Sequence, residues 1–244
     1  MRLKPTSCAV FAQYILILFL GQFFCTPILV KKYFSFTADP EKADFALVFI
    51  SSPQSRDGGY SRADRESGGN GYVPVSLKYS TYTATEARGQ SLAAGDPVID
   101  PEIKNRSYNN KTTTAYNTMD LQTLLDTRAM MGSKPVVVSV TASGPMIFRE
   151  FEKQSDGILL NFGVSLQAVL DIVSGKSEPS GLLPVQMPAN MRTVELQKED
   201  VPFDMECYKD MDEHFYDFGF GLNWSGPIRD RRTKQYHQSA APSR

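Results

Sequence analysis

The sequence predicts an α/β protein, a three-layer sandwich with a mostly parallel sheet. Two observations predict this fold. Short aliphatic and β-branched runs, each the length of a buried strand, alternate along the chain with helical patterns and turn residues. Residues 156–188 show the pattern most clearly, because they read as strand, helix, turn and strand in succession. Since parallel strands need crossover helices, this order places helices on both faces of one sheet.

The composition is that of an ordinary globular chain and excludes several function classes. The 244 residues are 41% hydrophobic and 22% charged, and the net charge is −1. Such a balance argues against a nucleic-acid partner, which requires a basic face. Two of the three cysteines lie in the apolar N-terminus, so no disulfide framework is encoded. The histidines and cysteines lack zinc-ligand spacing, and we expect neither a metal site nor a cofactor.

The first predicted unit is an apolar segment, residues 1–32. No charged residue occurs between Pro5 and Val30, and 15–20 forms the apolar centre. One interpretation is a signal peptide or an uncleaved anchor, which would make the protein secreted, periplasmic or membrane-anchored and would be its only membrane contact. The other interpretation is an aberrant start, joined to a domain whose natural upstream part is missing. The sequence leaves the compartment open between the two.

The second predicted unit is the globular domain, residues 33–228. The β-branched and aromatic run at 44–51 predicts its first parallel strand. The long loop that follows, Ser52 to Asn117, has little periodicity, and irregular spans of this length in compact domains are usually functional. Within this loop, 72–79 partly alternates and predicts an edge strand.

Helical periodicity returns after the long loop. Spaced leucines predict a helix over 120–131, for which Thr118 could serve as the cap. The run at 136–140 predicts a buried strand. Pro145 favours the first position of a short helix over 146–152.

Residues 156–188 supply the remaining predicted elements. It predicts a strand over 157–162, a helix that Ser165 caps and Gly175 ends, and a last strand over 182–187. The third predicted unit, residues 229–244, is a basic and polar tail that we expect to be disordered.

Two motifs in the second half resemble those of a known family. Pro179 to Pro188 reads PSGLLPVQMP, and Tyr216 to Ser225 reads YDFGFGLNWS. Their content, order and separation are similar to signatures of the second domain of family 3 glycoside hydrolases. The resemblance covers roughly 33–226. It implies the fold of that domain and a β-glucosidase-like or β-xylosidase-like enzyme, which hydrolyses O-glycosyl bonds of β-linked glucosides or oligosaccharides with retention.

The resemblance also implies an acid/base residue in the long loop. In the family this residue is often a Glu in a Gly-containing loop after the first strand, and the matching position is Glu66, in ESGGN. Its role would be to protonate the leaving oxygen and then to activate water. Read without the resemblance, a loop Glu among arginines is more often a solvated carboxylate. Asp64 and Glu86 are the fallback carboxylates.

Tyrosines of the long loop are candidate substrate-binding residues. The loop holds six of the eleven tyrosines, and Tyr60 and Tyr72 flank Glu66. A tyrosine ring can pack on the C–H face of a sugar while its hydroxyl forms a hydrogen bond. The alternative is that these rings fill a small core of the loop itself.

The resemblance further implies a partner. The family's nucleophile is an Asp on a barrel domain of roughly two hundred residues or more. About thirty residues precede the domain here. We therefore expect the chain alone to be inactive or nearly so, and to need a family 3 barrel domain or a dimer partner. The alternative is a non-catalytic module, sugar-binding or structural, left after loss of the barrel.

Overall fold

The computed structural model of the chain describes residues 14–19, 34–55, 58–88, 107–198, 201 and 203–236. The strands, in chain order, are β1 (Tyr14–Phe19), β2 (Ser35–Phe36), β3 (Phe45–Ser51), β4 (Tyr82–Thr83), β5 (Thr112–Thr113), β6 (Val136–Thr141), β7 (Gly157–Asn161), β8 (Leu222–Asn223) and β9 (Gly226–Pro227). The helices are α1 (Arg62–Glu66), α2 (Thr118–Met131), α3 (Leu166–Val173), α4 (Met191–Leu196) and α5 (Arg231–Tyr236).

A five-stranded parallel sheet in the order β2-β1-β3-β6-β7 forms the centre of the fold. Successive side chains of a strand point to opposite faces. In β3, Ala46 and Val48 therefore join the core beneath α2, where Leu124 is fully buried. Leu47 points to the other face and packs with Leu170 of α3. Helices on both faces of a parallel sheet confirm the predicted α/β sandwich.

Six residues of the apolar N-terminal segment lie in this sheet. Strand β1 pairs with β2 on one side and with β3 on the other, in a register that runs from Ile15↔Phe45 to Phe19↔Phe49. The strand that we predicted to be first is therefore third in the chain. Residues 14–19 belong to the sheet, although we expected 1–32 to form a separate unit. An aliphatic run suits a buried parallel strand as well as a membrane segment, because both surroundings are apolar.

The other residues of 1–32 lie outside the described part of the chain, and their role as a signal or anchor stays a prediction. None of the helices in the described ranges has the length and apolar character that a bilayer crossing requires. Helix α5 forms within the tail that we expected to be disordered, and 237–244 lie outside the described residues.

Helix α2 begins at Thr118, and Asn117, not Thr118, stands at its cap position without a side-chain cap hydrogen bond. The Asn117 amide instead donates to the backbone oxygens of Ser51 and Ser52, at 3.3 and 3.1 Å, and its oxygen accepts from the Gln54 N–H at 2.9 Å. The side chain thus ties the end of β3 to the start of α2. The predicted cap, Thr118, was wrong by one position, because Thr118 is already the first helical residue.

Of the next three predictions, the strand and helix of 157–175 are confirmed, whereas the helix over 146–152 and the edge strand over 72–79 are wrong. Strand β7 and helix α3 confirm the prediction for 157–175, with the Ser165 hydroxyl accepting from the Ala168 N–H and Gly175 at a φ of 75°. The predicted helix over 146–152 is instead two 3₁₀ turns, Phe148–Glu150 and Glu152–Gln154. The predicted edge strand over 72–79 forms one isolated bridge, between Tyr72 and Tyr60.

The last predicted strand, 182–187, does not join the sheet. The Leu183 N–H donates to the Phe220 oxygen at 2.7 Å, and the Leu183 oxygen accepts from the Gly219 N–H at 2.8 Å. The Met187 N–H donates to the Tyr216 oxygen at 2.9 Å. An extended run needs partners for its backbone groups, and the closing segment 216–220 supplies them here. Within the described residues, β7 is consequently an edge of the sheet.

Candidate functional site

The predicted site residues lie on one hairpin of the long loop. The Ser61 N–H donates to the Gly71 oxygen at 2.7 Å and closes the hairpin around helix α1. Tyr60 and Tyr72 stand at the base of this hairpin, and Glu66 is the last residue of α1. The structure therefore brings all three candidates into one small substructure.

Tyr60 and Tyr72 pack against each other. Their ring centroids are 5.9 Å apart with an interplanar angle of 84°, an edge-to-face contact. A Cβ at Gly71 would lie 2.9 Å from the Tyr60 ring carbon Cζ, so this position requires glycine for the close approach. The pair is a local core of the hairpin, yet Tyr60 still exposes half of its surface. A role of either ring in binding substrate stays a prediction.

The Glu66 carboxylate is exposed to solvent and forms an ion pair. Arg62 Nε donates to Glu66 Oε1 at 2.8 Å, one helical turn away, and the Glu66 side chain is 64% exposed. Exposed pairs of this kind contribute little to stability because water and salt screen them. In this domain alone, Glu66 is a solvated carboxylate on a short helix.

Asp64, the first fallback carboxylate, is part of a polar clamp. Its Oδ2 accepts from Lys111 Nζ at 2.6 Å and from the Gly71 N–H at 2.8 Å, and Lys111 also donates to Asn70 Oδ1 at 2.7 Å. The Lys111 ammonium holds the pKa of Asp64 below its ordinary value. A general acid needs a raised pKa to stay protonated near neutral pH. Asp64 is therefore suited to positioning the hairpin and unsuited to donating a proton.

Glu86, the second fallback carboxylate, forms an ion pair with Arg192 at 2.8 Å. The Glu195 carboxylate of α4 holds the backbone of Glu86, a contact that the sequence did not predict. Glu195 is buried, and it accepts from the Thr85 N–H at 3.1 Å and from the Glu86 N–H. A buried carboxylate is tolerated when hydrogen bonds compensate it, and here they fix the middle of the long loop.

The stretch just before Thr85 in the long loop is fixed in the same manner. Tyr79 is fully buried, and its hydroxyl donates to the Ser51 oxygen at the end of β3, at 2.5 Å. The Glu150 carboxylate accepts from the N–H groups of Tyr79 and Ser80, at 2.6 and 3.0 Å. Burial raises the pKa of Tyr79 above its ordinary value, which keeps this hydroxyl a donor. The loop lacks long strands, but buried side chains anchor it beside the carboxyl ends of the sheet.

The two motifs of the second half contact each other. A Cβ at Gly221 would lie 3.0 Å from Leu182 Cδ2 and closer still to the Gly181 carbonyl oxygen. With the hydrogen bonds between Leu183 and the closing segment, this contact makes PSGLLP and FGFGL one packed unit. Gly221 provides close approach of two backbones rather than chemistry.

Beside this unit lies the β7 cavity, a space of about 880 Å³. It is lined by strand β7, one face of α3, and residues 179–183, 210–212 and 220–222. Ligand sites in proteins commonly have volumes of about 300–1,000 Å³. The predicted residues Glu66, Tyr60 and Tyr72 do not line it.

A titratable cluster borders the β7 cavity. Tyr208 donates its hydroxyl to Glu152 Oε2 at 3.2 Å, and burial raises the pKa of Glu152 above its ordinary value. His214 Nδ1 lies 3.0 Å from Asp210 Oδ2. The members of this cluster come from two distant segments, so no local sequence pattern marks them as neighbours. In the described ranges, no group of three or more His, Cys, Asp or Glu side chains is arranged to hold a metal ion.

Comparison with known proteins adds to this geometry. Residues 31–224 match the family model described as Glycosyl hydrolase family 3 C-terminal domain. A probable beta-glucosidase C of Aspergillus flavus is 33% identical over 100 residues, which is 41% of this chain and 15% of that relative. Beta-glucosidase C of Emericella nidulans is 35% identical over 92 residues, 38% of this chain and 14% of the relative. The matches thus span a small part of each relative.

Proposed function

Because this chain belongs to the glycosyl hydrolase family 3 C-terminal domain family, we propose that it serves as the second domain of a β-glycosidase. It acts with a barrel domain on O-glycosyl bonds of β-linked glucosides or oligosaccharides. The observation that carries the proposal is the family match across 31–224, joined by similarity to two proteins named as beta-glucosidases. The chain contributes the hairpin with Glu66, and the barrel contributes the nucleophile.

In this proposal Glu66 is the general acid and then the general base. Retaining glycosidases hold two carboxyl groups about 5–5.5 Å apart on either side of the scissile bond. Glu66 is exposed and projects from the end of a short helix, so it is accessible to a docked barrel. Exclusion of water by that barrel favours the neutral carboxylic acid, the form that protonates the leaving oxygen. The clamp of Lys111 and Asp64 supports the hairpin while Glu66 changes protonation state.

The docking surface of the barrel lies at the carboxyl edge of the sheet. Phe162 and Val164 follow the end of β7 and are exposed. Tyr116 and Met119 are exposed near the end of β3, where the Tyr116 N–H donates to the Gln54 oxygen. Ligands of open α/β sheets bind beyond the carboxyl ends of the strands. Burial of these side chains against a barrel would stabilise the complex and place the hairpin over its active site.

The second candidate function is a non-catalytic module, either sugar-binding or structural. One observation favours it: the Glu66 carboxylate is exposed and forms an ion pair with Arg62, which is the arrangement of an ordinary surface carboxylate. In this case the half-exposed Tyr60 would contact sugar without chemistry.

Hydrolysis of aryl β-glucosides and β-xylosides tests the proposal, with the full chain alone and mixed with a separately expressed family 3 barrel domain. We expect turnover in the mixture, its loss in Glu66→Ala, and partial recovery of Glu66→Ala with azide, which attacks the glycosyl-enzyme intermediate in place of the water that Glu66 would activate and leaves as the glycosyl azide. Glu41→Ala, at an exposed and remote carboxylate, is the control and should keep full activity. Absence of turnover in the mixture, with both proteins folded and associated, would refute the catalytic role and favour the non-catalytic module.

A further inference from the structure

Helix α1, which carries Glu66, is too short to hold its own orientation. It has five residues, and none of them is buried. Isolated helices shorter than about 12–15 residues are marginal in water, so α1 depends on contacts outside itself. The ion pair of Glu66 with Arg62 lies within the helix and cannot supply that support. The position of the Glu66 carboxylate therefore depends on the contacts that fix the hairpin.

Lys111 joins both arms of this hairpin to a later segment of the chain. Its ammonium donates to Asp64 in the first arm, at 2.6 Å, and to Asn70 in the returning arm, at 2.7 Å. The Asn70 side chain also accepts from the Tyr72 N–H at 3.1 Å and donates to the Ser107 oxygen at 2.7 Å. Lys111 follows Asp64 by 47 residues, and Ser107 follows Asn70 by 37. The hairpin is thus tied to 107–111 by two side chains.

The Asp64 carboxylate is enclosed by this network. A Cβ added at Gly69 would overlap the carboxylate, so the returning arm packs directly on it. The side chains of Lys111 and Asp64 are each 23% exposed, whereas that of Arg62 is 89% exposed. Water and salt screen the less exposed pair less strongly, so it restrains the hairpin more than the ion pair on α1 does. Without Lys111, the carboxylate still accepts from the Gly71 N–H, so the hairpin can close but has lost its charged link to 107–111.

We propose that Lys111 is a positioning residue for proton transfer, which holds Glu66 at the leaving oxygen without touching it. This role goes beyond support of the fold, and it rests on the proposed function of Glu66. Within the described chain the Lys111 ammonium contacts Asp64 and Asn70, so its effect on the reaction passes through the hairpin. A general acid must lie within hydrogen-bond reach of the oxygen that it protonates, and a displacement of about 1 Å can cost about a hundredfold in rate. Loss of Lys111 should therefore slow the step that needs the proton.

The leaving group of the substrate distinguishes positioning from a general structural role. Phenyl β-glucoside releases a basic phenolate and needs the proton of Glu66, whereas dinitrophenyl β-glucoside releases a weakly basic phenolate that departs without a proton. The full chain is mixed with a family 3 barrel domain, and kcat/KM is measured on both substrates. We expect Lys111→Met to lower kcat/KM about tenfold or more on phenyl β-glucoside and less than about twofold on the dinitrophenyl substrate. Lys111→Arg keeps the cation and should retain most of the activity on both.

Further variants complete the test. Glu66→Ala lacks the proton donor, so adding Lys111→Met to it should cause no further loss of its residual turnover of phenyl β-glucoside, measured at high enzyme concentration. Lys134→Met is the matched control, because Lys134 also donates to two oxygens, both in the backbone of 40–41, but it precedes β6 at the amino end of the sheet. This control should keep kcat/KM unchanged on both substrates. If Lys111→Met does not fold, as judged by circular dichroism, Asp64→Asn replaces it, because it removes the charge that Lys111 holds.

The outcomes separate the positioning role from the proposed function. An equal loss on both substrates, no loss on either, or a further loss when Lys111→Met is added to Glu66→Ala would overturn the positioning role and leave glycoside hydrolysis intact. Absence of turnover by the wild-type mixture, or turnover of phenyl β-glucoside that Glu66→Ala does not slow, would refute the proposed function and the positioning role with it.

Discussion

Replacement of Gly221 by alanine should separate the two family motifs. The added Cβ would lie 3.0 Å from Leu182 Cδ2 and closer to the Gly181 carbonyl oxygen, whereas ordinary van der Waals contact begins at 3.4 Å. The nearest atom belongs to backbone, which cannot rotate away as a side chain can. The Gly181 segment must therefore move, and the hydrogen bonds between Leu183 and the closing segment must lengthen with it.

The expected cost follows from the size of this overlap. Insertion of one methyl group into a well-packed contact usually costs about 1–3 kcal/mol. For a domain of this size, each kcal/mol lowers the Tm by about 2–4 °C, so we expect Gly221→Ala to lower it by about 2–12 °C. Gly181→Ala is the matched control, because a Cβ there meets no atom within 4 Å. Loss of a glycine restricts the unfolded chain similarly in both variants, and that effect cancels in the comparison.

Circular dichroism melts of the wild type and both variants, at one protein concentration, provide the measurement. Gly181→Ala should melt within about 2 °C of the wild type, since a change of about half a kcal/mol is typical of open positions. Gly221→Ala should melt clearly below both. Equal Tm values for the two variants would refute the reasoning, because the contact between the motifs would then contribute nothing to stability.

Three further predictions concern charged and nucleophilic groups. Lys111→Met should weaken the dependence of the free energy of unfolding on acid pH. The pKa of Asp64 is lower in the folded state than in the unfolded state, where it is about 3.9, so the Lys111–Asp64 contact stabilises the fold fully above that pH. This contribution disappears as the pH falls through the lower, folded-state pKa. Urea unfolding between about pH 2 and 5 measures it, and an unchanged slope would contradict it. Burial raises the pKa of Cys207 to about 12, so iodoacetamide near neutral pH should label it slowly in buffer and quickly in urea, as located by peptide mass spectrometry. Rapid labelling in buffer would exclude this burial. Glu195→Ala should reduce the free energy of unfolding by about 2–3 kcal/mol, because the N–H groups of Thr85 and Glu86 lose the buried carboxylate that accepts from them. Glu195→Gln keeps an acceptor and should cost less, and equal costs would count against the hydrogen bonds as the cause.

Sequence reasoning succeeded where local signals decide the structure. The β-branched run of β6 and the strand, cap and glycine of 157–175 appear as predicted, because each signal acts within a few residues. It failed where the partner of a segment lies far away. Glu150 and Glu195 hold the long loop from 71 and 110 residues along the chain, and no local pattern marks a carboxylate as the anchor of a distant backbone.

Two apolar runs show the limit of periodicity more sharply. Residues 182–187 read as a strand of the sheet, and they are extended, but the closing segment is their partner. Residues 15–20 read as the centre of a signal or anchor, and 14–19 form strand β1. An apolar run indicates that its side chains avoid water. It does not indicate whether a membrane, a sheet or another segment of the chain is the partner.

The motifs that identify the family stabilise the packing of the domain and do not supply reacting groups. A match to the family therefore predicts the fold more directly than it predicts the chemistry. Gly221 is required because its backbone approaches that of Gly181 closely, and this contact does not involve the Glu66 hairpin. The hairpin is held by other contacts, chiefly the clamp of Lys111 and Asp64. The contacts that hold the sandwich and the contacts that hold the hairpin are separate. A family 3 domain can therefore keep its sandwich while the long loop gains or loses an acidic side chain. A Gly221 variant should therefore lose stability through the sandwich, whereas Glu66→Ala should leave the Tm unchanged and affect only turnover with a barrel.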